Sequence, residues 1–156
     1  VVTRLQKELK QTKPFPSPEE ELSLSILRTS ERLSEGMVKL LKQADLTPTQ
    51  YNALRILRGA GVEGASCTEI SDRMVTRDSD ITRLLDRLEA RGLISREREA
   101  KDRRRIQTHI TEQGLRLISE LDGPVTESHR RQLGFLGEKK IASLIKVLDE
   151  IRNGLE

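Results

Sequence analysis

The densest chemistry in this 156-residue chain is guanidinium. Arg103, Arg104 and Arg105 stand side by side, and Arg77, Arg83 and Arg87 lie just upstream of them. Ser79, Thr82, Arg83 and Arg87 recur at intervals that place them on one side of a helix. Each guanidinium carries five N–H donors in a fixed fork with a permanent charge, and hydroxyls add small donors and acceptors. Such a set suits phosphate oxygens and the acceptor edges of bases. Residues 73–105 hold 11 Lys and Arg against 7 Asp and Glu, while the whole chain has a formal net charge of +3. The basic excess is therefore local, as for a surface that meets a polyanion, although a solvated charged face gives similar counts.

The rest of the chain offers little other chemistry. Cys67 is the single cysteine, which excludes an internal disulfide framework. It follows Ser66 at a helix start, where the thiolate is favoured. His109 and His129 are too few, and too far from Cys67, for a zinc site. No phosphate-binding glycine loop appears, and no nucleophile stands at recognisable spacing from a base. The chain is accordingly read as no enzyme, with neither metal nor cofactor. No apolar run approaches the roughly 18 residues of a membrane span, and no signal peptide opens the chain, so no membrane partner is expected and a cytoplasmic location is the default.

Composition dictates the elements that carry these groups. With 34% charged and only 2% aromatic residues, helix should dominate. Residues 1–17 read as a polar arm that Pro14, Pro16 and Pro18 bring to a stop. Ser17, Pro18 and Glu20 then form a helix-start signal, followed by an apolar stripe of Leu22, Ile26, Leu33, Met37 and Leu41 that predicts a long helix over residues 18–43. Thr47, Pro48 and Gln50 repeat the signal ahead of Tyr51, Leu54 and Leu57, a helix ending near Gly59 to Gly61. Ser66 and Glu69 open a third, short helix with Ile70 and Met74. A few residues later a fourth begins, predicted over residues 78–91, burying Ile81, Leu84, Leu85 and Leu88 and ending at Gly92. Two helices joined so tightly suggest helix-turn-helix.

Residues 93–98 and 106–111 are short, and Ile106, Thr108 and Ile110 alternate with Gln107 and His109. They predict two antiparallel strands joined by a loop at residues 99–105, with the three arginines at its tip. A hairpin directly after the second helix of a helix-turn-helix is a wing, and guanidiniums at a wing tip can enter a minor groove. Asp102 in the tip is expected to stiffen the loop by partnering an arginine. Beyond it, Thr111 caps a helix carrying Leu115, Ile118, Leu121 and Val125, with a kink expected at Pro124, and a last helix after Gly137 bears Ile141, Leu144, Ile145, Leu148 and Ile151. That last stripe exceeds what a terminal helix of a monomer needs, which suggests pairing with a second chain.

Four stretches resemble the MarR family of bacterial transcription factors (multiple antibiotic resistance regulators): LTPTQYNALRIL at residues 46–57, EISDRM at 69–74, ITRLLDRLEARGLI at 81–94 and DRRRIQTHITEQG at 102–114. The last matches the family's wing pattern through Asp102, Arg104, Ile110, Thr111 and Gly114. The resemblance covers about residues 18–151 and leaves the arm at 1–17 outside it; it implies a mainly α fold with a small β-hairpin wing, with a dimerisation helix at 18–45, a winged helix-turn-helix at 46–111, and dimerisation helices at 112–156. It implies a homodimer of triangular outline whose N- and C-terminal helices interlock and whose two lobes project toward double-stranded DNA at a pseudo-palindromic operator. Arg77, Ser79, Thr82, Arg83 and Arg87 would then serve the recognition helix in the major groove. Arg103 and Arg105 would reach the minor groove, while Arg104 would meet phosphate or hold the hairpin through Asp102. One departure stands out: where many members open the recognition helix with a neutral run, this chain has Arg77-Asp78-Ser79-Asp80. Two carboxylates there suit the helix dipole but weaken phosphate binding unless one accepts from a cytosine amine.

The resemblance also implies a repressor released by a small-molecule effector bound near Tyr51 and Arg55, and a half-buried structural role for Cys67, since the family's sensor cysteines lie on the first long helix, where this chain has none. The competing reading is a winged-helix module whose basic wing binds an acidic protein partner. A DNA binder differs from it in a steep salt dependence and in requiring a two-fold site.

Overall fold

A computed structural model describes residues 2–156. It contains helices α1 (Arg4–Glu8), α2 (Pro18–Lys42), α3 (Pro48–Ala60), α4 (Cys67–Arg73), α5 (Ile81–Ala90), α6 (Glu112–Leu133) and α7 (Glu138–Asn153). Strands β1 (Ala65–Ser66), β2 (Ile94–Arg98) and β3 (Ile106–Ile110) make one antiparallel sheet in the order β1-β3-β2. The fold is mainly α with a small β wing. Contacts divide it into two compact units at Met37/Val38, inside α2 rather than at a loop.

In the first unit the proline-terminated arm is not wholly irregular. Residues 4–8 form α1, started by a capping box in which the Gln6 N–H donates to Thr3 Oγ1 at 3.4 Å and the Thr3 N–H to Gln6 Oε1 at 2.9 Å. That Thr-x-x-Gln signal stands in the sequence, but five residues are too short for apolar periodicity to reveal. Glu8 at its end accepts from Arg4 Nε at 2.9 Å and Arg32 Nη2 at 3.4 Å, with Arg28 Nε 3.8 Å away, so these cations hold its carboxyl below the usual range. The N-cap of α2 is Ser17, whose Oγ accepts from the Glu20 N–H at 3.2 Å.

The second unit contains the predicted helix-turn-helix and hairpin. Reciprocal capping boxes start α3 (Thr47 with Gln50) and α4 (Ser66 with Glu69). Leu54, Leu57, Ile70, Leu85, Leu88, Leu93 and Ile118 are fully buried and join α3, α4, α5, the start of β2 and α6 into one core. Each such side chain contributes roughly 1.5–3 kcal/mol through burial. The register sets Ile94 against Ile110 and Arg98 against Ile106, which leaves residues 99–105 as the hairpin loop. β1 was not foreseen, since two residues carry no alternation, and it pairs Ala65 with Thr108. The recognition-type helix starts at Ile81 rather than at residue 78, because the Asp80 side chain, not that of Asp78, takes the cap by accepting from the Arg83 N–H at 3.1 Å. α6 passes through Pro124 without interruption.

Two glycines fix the corner where helix turns into hairpin. Gly92 has φ of +71°, the left-handed geometry that closes α5. Gly114 lies under the same corner: a Cβ there would sit 2.3 Å from the Leu93 carbonyl oxygen and 2.8 Å from Ile110 Cγ1. Thr111 completes the joint, its Oγ1 donating to the Gly92 carbonyl at 2.6 Å and its N–H to the Leu93 carbonyl at 3.0 Å. The Thr111 and Gly114 of the wing pattern are thus the residues that seat α6 against the start of the hairpin.

Candidate nucleic-acid interface

The predicted helix residues fall into two groups. Thr82, Arg83 and Arg87 are exposed on α5, opposite buried Leu84, Leu85 and Leu88. Arg77 and Ser79 are exposed too, but in the turn that precedes the helix. That turn is held from α3, where Asn52 Oδ1 accepts the Val75 N–H at 2.8 Å. It is held locally by Asp78, whose Oδ1 accepts the Asp80 N–H at 2.8 Å. Both carboxylates of the unusual Asp78-Ser79-Asp80 run therefore receive backbone amides, which disperses part of their charge before any phosphate approaches.

At the hairpin tip Arg103, Arg104 and Arg105 are all exposed. Asp102 organises the loop as an arginine partner through backbone amides: its Oδ1 accepts the Arg104 N–H at 3.0 Å and its carbonyl the Arg105 N–H at 2.9 Å. The Glu99 N–H closes the loop onto the Arg105 carbonyl at 2.9 Å. A short carboxylate suits this turn because it accepts from the amide two residues on. Among the described residues the guanidiniums of Arg77, Arg83, Arg87, Arg103, Arg104 and Arg105 take part in no ion pair. The charge of Arg105 still reaches Glu69, whose carboxyl is held low first by its hydrogen bonds to Ser66 and then by Arg105 and Arg73.

Three arginines that carried no local signal turn out to be structural. Arg96 of β2 grips α5, with Nε 3.2 Å and Nη2 3.0 Å from the two carboxylate oxygens of Glu89 and Nη2 2.5 Å from Asp86 Oδ1. Arg91 donates to the Asp45 and Ala44 carbonyls at 2.5 and 3.1 Å, satisfying the open end of α2 where Asp45 has φ of +53°. Arg58 of α3 makes a two-pronged pair with Asp122 of α6 at 2.7 and 3.0 Å, which holds the Asp122 carboxyl below the ordinary range. The partners lie 7, 46 and 64 positions away. No pattern within a helical turn announces them.

Around the predicted effector cleft, Tyr51 is buried, and the Arg55 guanidinium carbon lies 6.0 Å from its ring centre. Burial pushes the Tyr51 hydroxyl up, with Arg55 opposing. A groove of about 540 Å³ lies elsewhere, lined by Val38, Lys42, Leu46, Pro48, Arg87 and Arg91 among others and not by Tyr51 or Arg55. Among the described residues no cluster of three His, Cys, Asp or Glu could hold a metal, and Cys67 is half-buried.

The MarR family model matches residues 46–106, from the start of the α3 region to the first residue of β3. The HTH-type transcriptional repressor IacR of Pseudomonas putida is 30% identical over 131 residues, covering 84% of this chain and 77% of the relative. The chain belongs to the MarR family. A solved MarR transcription factor from Planctomyces limnophilus agrees at 38% identity with a TM-score of 0.67, covering 87% of this chain and 98% of that one. The S. aureus MepR structure solved as a DNA complex shares the fold at 22% identity, with a TM-score of 0.77 over 85% of this chain and 96% of that one. This MarR-family chain is a winged helix-turn-helix, DNA-binding transcription regulator. No described helix is long and apolar enough to cross a membrane.

Proposed function

We propose that the protein is a homodimeric repressor of a pseudo-palindromic operator, working in the cytoplasm by binding and not by catalysis. α5 enters the major groove, where Thr82, Arg83 and Arg87 with Arg77 and Ser79 of the preceding turn meet bases and phosphates. Arg103 and Arg105 enter the adjacent minor groove and Arg104 meets phosphate at its edge. The observation that carries this reading is the set of exposed guanidiniums without ion-pair partners, placed on two elements that share one joint at Gly92 and Thr111. Elsewhere in the same unit Arg58 and Arg96 are paired with carboxylates, a contrast that supports the reading.

The second copy covers the apolar face of α7, on which Leu144, Ile145, Val147 and Leu148 are 40–54% exposed. A small-molecule effector releases the repressor. Tyr51 and Arg55 supply a buried ring with a guanidinium at its edge, which suits an anion with an apolar body.

Selection of bound sequences from a random duplex library, followed by titration of the winner at several salt concentrations, tests the reading. An inverted repeat with half-sites about one helical turn apart is expected. With six to ten phosphate contacts, affinity falls by about 10³–10⁵ between 50 and 200 mM salt. Enrichment of no sequence, with weak binding only, overturns it.

A further inference from the structure

We propose that Arg96 is a positioning residue for DNA reading: it braces the hairpin against α5, so that helix and wing present their guanidiniums at one fixed separation. The sheet alone leaves the hairpin underdetermined. β1 is only two residues long and pairs only with Thr108 and Gln107, so beyond Gln107 the hairpin runs on as the Arg98–Ile106 pair and its loop with no third strand beside it. Two-stranded ribbons twist and flex readily. The corner at Gly92 and Thr111 fixes where the ribbon starts but not its angle to the helix. Gln107 Nε2, donating to the Glu63 carbonyl at 3.2 Å, ties β3 on the side of β1, and Arg96 supplies the tie to α5. It stands across from buried Thr108, its side chain is 23% exposed, and its guanidinium engages both carboxylate oxygens of Glu89 and one of Asp86. A planar fork against a carboxylate resists rotation where a lysine ammonium does not. The loop begins three residues beyond Arg96, about 10 Å further along the strand at some 3.3 Å per residue. A change of angle at the brace is therefore amplified at the arginine tip.

The same ion pairs also neutralise Asp86 and Glu89, which flank Arg87 on a helix bound for phosphate. Geometry and charge can be separated by experiment. Operator affinity is measured for wild type and Arg96→Gln, each with and without Arg103→Ala plus Arg105→Ala, alongside thermal melts that report folding. The wing substitutions are expected to weaken wild type about tenfold or more. In the Arg96→Gln background they should weaken binding by less than about threefold, because a wing no longer held in place has little left to lose. Arg96→Lys should leave the wing effect reduced, since it restores the charge without the fork. The triple variant Arg96→Gln, Asp86→Asn, Glu89→Gln should stay insensitive to the wing substitutions although its carboxylates are gone. Recovery of the full wing effect in either of these overturns the bracing role in favour of charge alone. If Arg96→Gln melts out, Glu89→Gln, which removes the fork's main partner from the helix side, is put through the same cycle.

The inference rests on the wing reading above, and the two fail differently. No effect of the wing substitutions in wild type defeats the wing reading itself. A normal effect there that is additive with Arg96→Gln defeats only the brace.

Discussion

Helices α5 and α7 have the same kind of sequence and opposite fates. Both carry leucine and isoleucine at helical spacing on one side and charge on the other. On α5, Leu84, Leu85 and Leu88 are 6%, 1% and 0% exposed, packed into the core of their own chain. On α7, Leu144, Ile145 and Leu148 are 46%, 54% and 40% exposed. An amphipathic stripe tells that a face will be covered and is silent on what covers it. The comparison teaches that one of these helices is held by the fold and the other is left for a second copy in the proposed dimer.

Substitutions at the two stripes should separate stability from assembly. Leu88→Ala removes a fully buried side chain and should cost about 2–5 kcal/mol in denaturant unfolding, with little space for the core to collapse into. A loss below 1 kcal/mol would contradict the closed core. Leu148→Asp on α7 should instead turn the dimer into a folded monomer by sedimentation, with an unchanged circular dichroism spectrum and lost operator binding. A dimer that survived it would move the interface elsewhere. Next comes the outward side of the α5 lobe: Arg103→Ala plus Arg105→Ala should leave the melt unchanged and flatten the log–log salt slope by about four per dimer, near 0.9 for each lost contact. An unaltered slope in the folded variant would remove the wing from the interface.

The smallest effect is expected where α3 meets α6. Asp122 has a depressed pKa because Arg58 hydrogen-bonds its carboxylate, so its contribution is present above the unfolded-state value and lost as pH falls through the folded one. Asp122→Asn should lower neutral-pH stability by less than about 1 kcal/mol, since the pair is half open to solvent. The variant should also lose stability less steeply than wild type on acidification below about pH 4, the ordinary aspartate range. Parallel acid limbs for the two proteins would show that the pair contributes nothing.

Much of the interface was legible because its signals are local. Ser66 with Glu69, Thr47 with Gln50, and Gly92 declare helix ends within three or four residues. The alternation of Ile106, Thr108 and Ile110 declares a strand by its period, and the tip arginines are exposed in a loop because nothing in the hairpin register could bury them. Where the reading missed, the cause was distance or shortness. α1 and β1 are too brief to show a period. The start of α5 moved from residue 78 to Ile81 because two neighbouring aspartates compete for the cap, and only backbone geometry decides between them. Asp102 was expected to partner an arginine and stiffen the loop, and only the structure decides that the partner group is the Arg104 backbone amide, which a tight turn brings close.

The amino-acid sequence by itself determined the order of helices, the helix-turn-helix and hairpin, the concentration of positive charge between residues 73 and 105, and the family to which they belong. All of these follow from residue type and from spacings within one or two turns of chain. Tertiary structure alone decided which arginines are held inside the protein and which stay exposed without an ion-pair partner. Arg58, Arg91 and Arg96 are chemically identical to Arg83, Arg103 and Arg105. They differ in that folding brings Asp122, the Asp45 carbonyl and Glu89 within hydrogen-bond reach from 64, 46 and 7 positions away.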